Sequence, residues 1–340
     1  MDFGLTETQE LIKASAREFL EVNSDPARVR AVADGDSDAI SALWNDIVDL
    51  GWPSLTISEE HGGAGLSFGD LAVLLEELGA SLAPTPIVES SISSWILERF
   101  GSDSLKSELL PKIANGEVLI TPAIVERDAS WDSESTKVAA TRSGSSLVIT
   151  GEKRFVAFAD QATHALTLVR TDNGDSALVV VPIWKEEGVE RTPLSHASGV
   201  PVSSITFNEL EVAETNVIAT GETATKAVEE LIAAGGVARS AQMAGLGRAV
   251  VDATVDYTAN REQFGRPVGS FPSGSASSRQ HGDCCETGEP PRSLRRLEFL
   301  TRWIFHRGCG SGENCCKRQD RRTMLDSPSV SWRHRIYLGT

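Results

Sequence analysis

The first 271 of the 340 residues contain no cysteine. That stretch therefore offers no thiol for a disulfide or for a metal site. No apolar run approaches the roughly 20 residues that a membrane span needs. The N-terminus, Met1-Asp2-Phe3-Gly4, lacks a basic region followed by an apolar block, so no secretory signal is expected. Positive charge is also scarce: residues 1–271 hold 20 Lys and Arg against 41 Asp and Glu. Such an acidic body repels phosphate and argues against nucleic acid as a partner. The expectation is a cytoplasmic protein. What the sequence does contain is a 40% apolar fraction and enough length for two or three domains with a sizeable core.

Three periodic stretches follow one another. Residues 5–21 place Leu5, Leu11, Ile12, Ala16, Phe19 and Leu20 on one helical face, with Thr6 and Gln9 as a capping box. Helical spacing recurs over 38–50, 68–82, 88–100 and 105–113. A breaker at Gly51-Trp52-Pro53 and a glycine-rich loop, Ser58 to Ser67, fall between them. From Val118 the period becomes two. Strands are expected over 118–121, 137–141, 146–150, 165–170, 177–181 and 203–212, with hairpin turns at Ser143-Gly144-Ser145 and Asp172-Asn173-Gly174. From Glu222 the helical period returns and runs to Arg261, with many small residues such as Gly235 and Gly236 that permit close helix approach. The expected class is α+β. An all-α domain (1–117) leads to a β-barrel or sandwich (118–217) and then to the start of a C-terminal helical domain (218–271).

Five segments carry a resemblance. Glu59-Glu60-His61-Gly62-Gly63-Ala64-Gly65-Leu66 precedes the helix Asp70 to Gly79. Leu109 to Glu117, Gly151-Glu152-Lys153-Arg154-Phe155-Val156 and Arg261-Glu262-Gln263-Phe264-Gly265 follow in order. Together they resemble the acyl-CoA dehydrogenase family over residues 1–271. The resemblance implies FAD as cofactor, with Arg261, Gln263 and Phe264 contacting a flavin bound mainly by a neighbouring subunit of a homo- or hetero-oligomer. A guanidinium suits a pyrophosphate, an amide suits polar edges, and a ring packs. Val125, in Ile124-Val125-Glu126, stands where the family places a threonine against the flavin. Phe155 and Val156 stand where it places a tryptophan and an isoleucine, and Ala157 replaces a second threonine. Arg127-Asp128-Ala129-Ser130 lacks the glycine-rich stretch that meets a CoA phosphate in the family. His61 is expected to shape its loop, and His164 and His196 to be structural.

The implied activity is α,β-desaturation of an acyl-CoA thioester, a step of fatty acid β-oxidation and lipid metabolism, with electrons passed to an electron-transfer flavoprotein. The α-proton would go to a desolvated glutamate. No such residue is identified. In a minority of the family it lies 26 residues before the arginine of the RxQFG signature, and that position here is Gly235. Glu229 and Glu230 are out of register and read as solvated helix charges. The alternative is a non-catalytic subunit or an inactive product.

Residues 272–340 differ in character. They hold all five cysteines (Cys284, Cys285, Cys309, Cys315, Cys316), a charge balance of +5 and no sustained period. At face value they form a basic tail, and adjacent cysteines do not have metal-ligand spacing. A shift of reading frame after Phe271 accounts for all three features. It lets synonymous codons spell a His-Gly-Gly segment like one the family carries on a later helix. An irregular tail and a poorly packed, flavin-free chain are then expected, and the codons that follow Phe271 decide the matter.

Overall fold

A computed structural model describes residues 4–127, 135–196 and 198–271. The tail reading and its frame shift concern 272–340, outside the described residues. The same holds for positions 128–134, which include most of the segment after Arg127.

Helix α1 (Glu7–Asn23) begins where its capping box requires. Thr6 Oγ1 accepts from the Gln9 amide at 3.3 Å, and Gln9 Oε1 accepts from the Thr6 amide at 3.1 Å. A short helix not expected from periodicity, α2 (Pro26–Ala33), follows. At eight residues it has too few turns to display a period; its only signals are the Asp25 cap and Pro26 in the first turn. Then come α3 (Ser37–Asp49), α4 (Phe68–Ala80), α5 (Ile87–Phe100) and α6 (Asp103–Ala114).

The strands are β1 (Ile120–Ala123), β2 (Ala139–Ser143), β3 (Ser146–Ala157), β4 (His164–Thr171), β5 (Ser176–Pro182), β6 (Val189–Leu194), β7 (Val202–Ala213) and β8 (Val217–Thr220). They form one mixed sheet in the order β6-β7-β3-β2-β4-β5-β8. One edge of β4 is shared: β1 runs parallel to its first half and β2 parallel to its end. Both expected hairpin turns are present, joining β2 to β3 and β4 to β5. β6 and β8 were not read from the sequence. β6 is polar or half-exposed along its length, and β8 has only four residues.

Helix α7 (Gly221–Asn260) is 40 residues long, about 60 Å. Its first half is buried by Ala224, Ala227, Val228, Leu231, Ala234, Val237 and Ala238. It crosses α4 so closely that a Cβ on Gly79 would strike the Gln242 carbonyl, and one on Gly245 would strike the Glu76 carbonyl. Arg248 clamps the crossing from α7 by pairing with Glu76, and it lies 3.7 Å from the buried Glu77. Glu77 also takes Arg17 of α1 at 3.1 Å. Beyond Gly245, Val250, Val255 and Tyr257 are exposed. The main apolar core runs from Ala16 of α1 through the sheet to Ala238 of α7, and Val32, Ile40 and Phe158 form a small second cluster.

Candidate functional site

Where α5, α7 and the sheet meet, they leave a groove of about 430 Å³. Val88, Glu89 and Ile92 of α5 form one wall, and Leu231, Gly235 and Arg239 of α7 another. Val125, Arg154 and Phe155 form the β side.

The groove owes its β side to a break in strand alternation. The pairing of β3 with β7 slips between Lys153 and Val156. The Arg154 amide turns away to donate to the Val125 carbonyl at 2.8 Å. Phe155 sits at φ +55°, a conformation that strains a bulky residue by about 1–3 kcal/mol. The residue is 53% exposed and lines the groove. Val156, the next residue, is fully buried, so its side chain belongs to the core and not to the groove.

Directly beneath lies a buried ion pair. Lys153, with no exposed surface, donates to Glu126 Oε1 at 2.6 Å, Thr136 Oγ1 at 2.9 Å and the Ile124 carbonyl at 3.1 Å. Glu126 also accepts from the Thr136 hydroxyl at 2.5 Å and from the amides of Lys137 and Val138 at 2.8 and 3.2 Å. Burial pushes the Lys153 ammonium down to about 8, against the opposing pull of Glu126. Burial works to raise Glu126, but hydrogen bonds from Lys153 and Thr136 and the lysine's charge hold it below the usual carboxylate value. Both groups are ionised at neutral pH. They tie the Ile124–Glu126 segment to β3 and so fix Val125 on the same side of the groove as Phe155.

The helix walls hold a second buried carboxylate. Glu89 is 4% exposed; Arg239 donates to its Oε1, while Oε2 has no hydrogen-bond partner among the described residues. Arg239 also donates to Gln242 at 2.8 Å and lines a second, largely apolar cavity of about 520 Å³ bounded by Leu78, Pro84 and Phe158. Gly235 faces the groove; a Cβ there would meet only Ile92 Cδ1, at 3.7 Å. Glu230, one turn earlier, is paired with Arg99 at 2.8 Å.

Arg261, Gln263 and Phe264 are elsewhere. Arg261 caps the far end of α7, 22 residues or about 33 Å from Arg239. A two-residue hairpin follows: β9 (Glu262–Gln263) pairs with β10 (Arg266–Pro267). Its turn residues, Phe264 and Gly265, have φ of +54° and +77°, as a type I′ turn requires. Phe264 is 92% exposed and touches Phe271 edge-on at 6.2 Å. The chain thus groups Val125 with Phe155 at the groove, and Arg261 with Gln263 and Phe264 at a distant exposed corner. The histidines are held locally: His61 Nδ1 lies 2.9 Å from Ser58 Oγ, His164 Nδ1 2.9 Å from Thr163 Oγ1, and His196 Nδ1 2.6 Å from Ser198 Oγ.

Residues 6–117 match the family model described as Acyl-CoA dehydrogenase, N-terminal domain. Over these residues the chain carries the N-terminal domain of the acyl-CoA dehydrogenase family. Among curated relatives, the acyl-CoA dehydrogenase FadE12 of Mycobacterium tuberculosis is 28% identical over 68% of this chain and 61% of its own length. A glutaryl-CoA dehydrogenase of Desulfococcus multivorans is 27% identical over 80% and 72%. The chain thus spans about three fifths of the first of these relatives. Among solved structures, a glutaryl-CoA dehydrogenase in complex with glutaryl-CoA superposes with a TM-score of 0.80 at 21% identity, covering 89% of this chain and 78% of that one. The ChsE4–ChsE5 complex of Mycobacterium tuberculosis gives 0.75 at 23%, covering 90% and 79%. At these identities the structures establish the shared α+β fold of the family.

Sequence reasoning missed the Glu126–Lys153 pair and the Glu89–Arg239 pair. Each had a faint signal. Lys153 is the middle of three consecutive charges, Glu152-Lys153-Arg154, at an alternate position that a strand turns inward, and Glu89 is the lone acid in the first three turns of α5.

Proposed function

We propose that this chain is an FAD-binding acyl-CoA dehydrogenase whose groove receives the acyl group of a CoA thioester for α,β-desaturation. Phe155 carries the reading: an aromatic ring held exposed on a strained strand position, over a rigid ionic base, suits stacking against a planar cofactor. FAD, the family's cofactor, supplies the hydride acceptor when bound. Val125 and Phe155 would hold its ring on one chain. Arg261, Gln263 and Phe264 of a second copy would reach its phosphates and edges, since their distance along α7 keeps them from the groove of their own chain. The apolar walls, Val88, Ile92 and Leu231, would exclude water from the thioester and sharpen its electrostatics. Reoxidation by an electron-transfer flavoprotein completes the proposed cycle.

Gly235 favours a second reading. It lines the groove at the register where part of the family carries its proton acceptor, and it offers no side chain. A non-catalytic subunit would bind flavin and thioester without reacting. Anaerobic titration of the flavin-loaded chain with an acyl-CoA panel separates the cases. Bleaching of the flavin supports the enzyme, binding without bleaching supports the non-catalytic subunit, and failure to take up flavin refutes both.

A further inference from the structure

Glu89 is a charged group that the proposed desaturation leaves without a task. It is 4% exposed, sits on α5 and lines the groove beside Val88 and Ile92. Its two oxygens differ. Oε1 is occupied by Arg239, whose other terminal nitrogen serves Gln242 at 2.8 Å. Oε2 is buried and accepts no hydrogen bond among the described residues. A buried carboxylate oxygen left bare costs about 1–3 kcal/mol or more, so a ligand that supplies a donor there is favoured. The pair also limits what that donor is. Arg239 already neutralises Glu89, so a cation gains little further attraction. An added carboxylate meets the repulsion of Glu89 and finds the facing nitrogens of Arg239 engaged. A neutral hydroxyl fits.

Resting on the reading of the groove as the acyl site, we propose that Glu89 is a specificity residue that selects acyl groups bearing a hydroxyl beyond the reacting carbons. The free Oε2 accepts from that hydroxyl, and Arg239 holds the carboxylate in place.

The test is calorimetric binding to the full chain. The probes are hexanoyl-CoA and octanoyl-CoA, each as the parent, the ω-hydroxy and the ω-carboxy form. The expected result is that at least one ω-hydroxy thioester binds about tenfold tighter than its parent, the factor a single hydrogen bond to a charged acceptor supplies. The ω-carboxy forms should bind no better than the parents. Glu89→Leu should abolish the hydroxyl preference. Glu89→Gln, which keeps the shape and one acceptor, should reduce it to about threefold, and this variant decides the matter if the leucine chain does not fold. Equal binding of parent and hydroxy forms, or a preference undiminished in the variants, overturns the inference while leaving the acyl-CoA reading intact. Failure of every thioester to bind overturns that reading and this inference with it.

Discussion

Replacing Lys153 by methionine should be among the most damaging single changes in the chain. The ammonium is fully buried and makes three hydrogen bonds, to Glu126, Thr136 and the Ile124 carbonyl. Methionine fills comparable volume, so the loss is electrostatic. Glu126, 6% exposed, would keep the Thr136 hydroxyl and the Lys137 and Val138 amides but lose its only countercharge among the described residues. Breaking a buried pair in this way costs about 3–5 kcal/mol. That is a large share of the roughly 5–15 kcal/mol by which domains are stable. For a folded unit of this size, about 2–4 °C per kcal/mol gives a fall of about 6–20 °C in Tm. Thermal unfolding followed by tryptophan fluorescence reads it. Changing Glu126→Leu together with Lys153→Met removes the stranded charge and should recover about half of the loss, the remainder reflecting two orphaned amides. A single variant within about 1 kcal/mol of the parent chain would refute the claim that this pair anchors the groove.

Other outcomes follow from the same geometry. Because the folded state lowers Lys153 to about 8, the unfolded chain binds the extra proton above that value. Stability should therefore rise between about pH 8 and the ordinary lysine value of 10.5, and the rise should vanish in Lys153→Met; urea midpoints across pH measure both. Because Glu126 is lowered from 4.5, its contribution is present above that pH and is lost as acid protonates it below. Gly245→Ala should destabilise by about 1–3 kcal/mol, since the methyl strikes the Glu76 carbonyl. Gly247→Ala, two residues on with nothing within 4 Å, should instead stabilise by about 0.5–1 kcal/mol through helix propensity. Gly235→Glu, whose Cβ would make only an ordinary contact with Ile92, should speed flavin bleaching by acyl-CoA about 100-fold in stopped-flow if a proton acceptor is what that position lacks.

Much of the architecture was legible because period and caps agree: the Thr6–Gln9 box starts α1, and two turns of small polar residues join β2 to β3 and β4 to β5. What escaped was short or non-local. α2 and β8 are too brief to display a period, and β6 does not alternate. The site was half legible. Phe155 was singled out, but its exposure depends on a register slip against β7, a partner some 50 residues away. The Glu89–Arg239 pair joins residues 150 positions apart, which no local pattern reveals. The grouping of Arg261 with Phe264 could be read, while its distance from the groove follows from the uninterrupted length of α7.

The central claim is that one flavin is held by the groove of one chain and the Arg261 corner of another. Co-expression of a Phe155→Ala chain with an Arg261→Ala chain tests it most directly, because mixed assemblies contain one unaltered site. The account predicts that each variant alone purifies without flavin and that the mixture regains its visible flavin spectrum. A colourless mixture beside a flavin-loaded parent chain, or an Arg261→Ala chain that keeps its flavin alone, would contradict it.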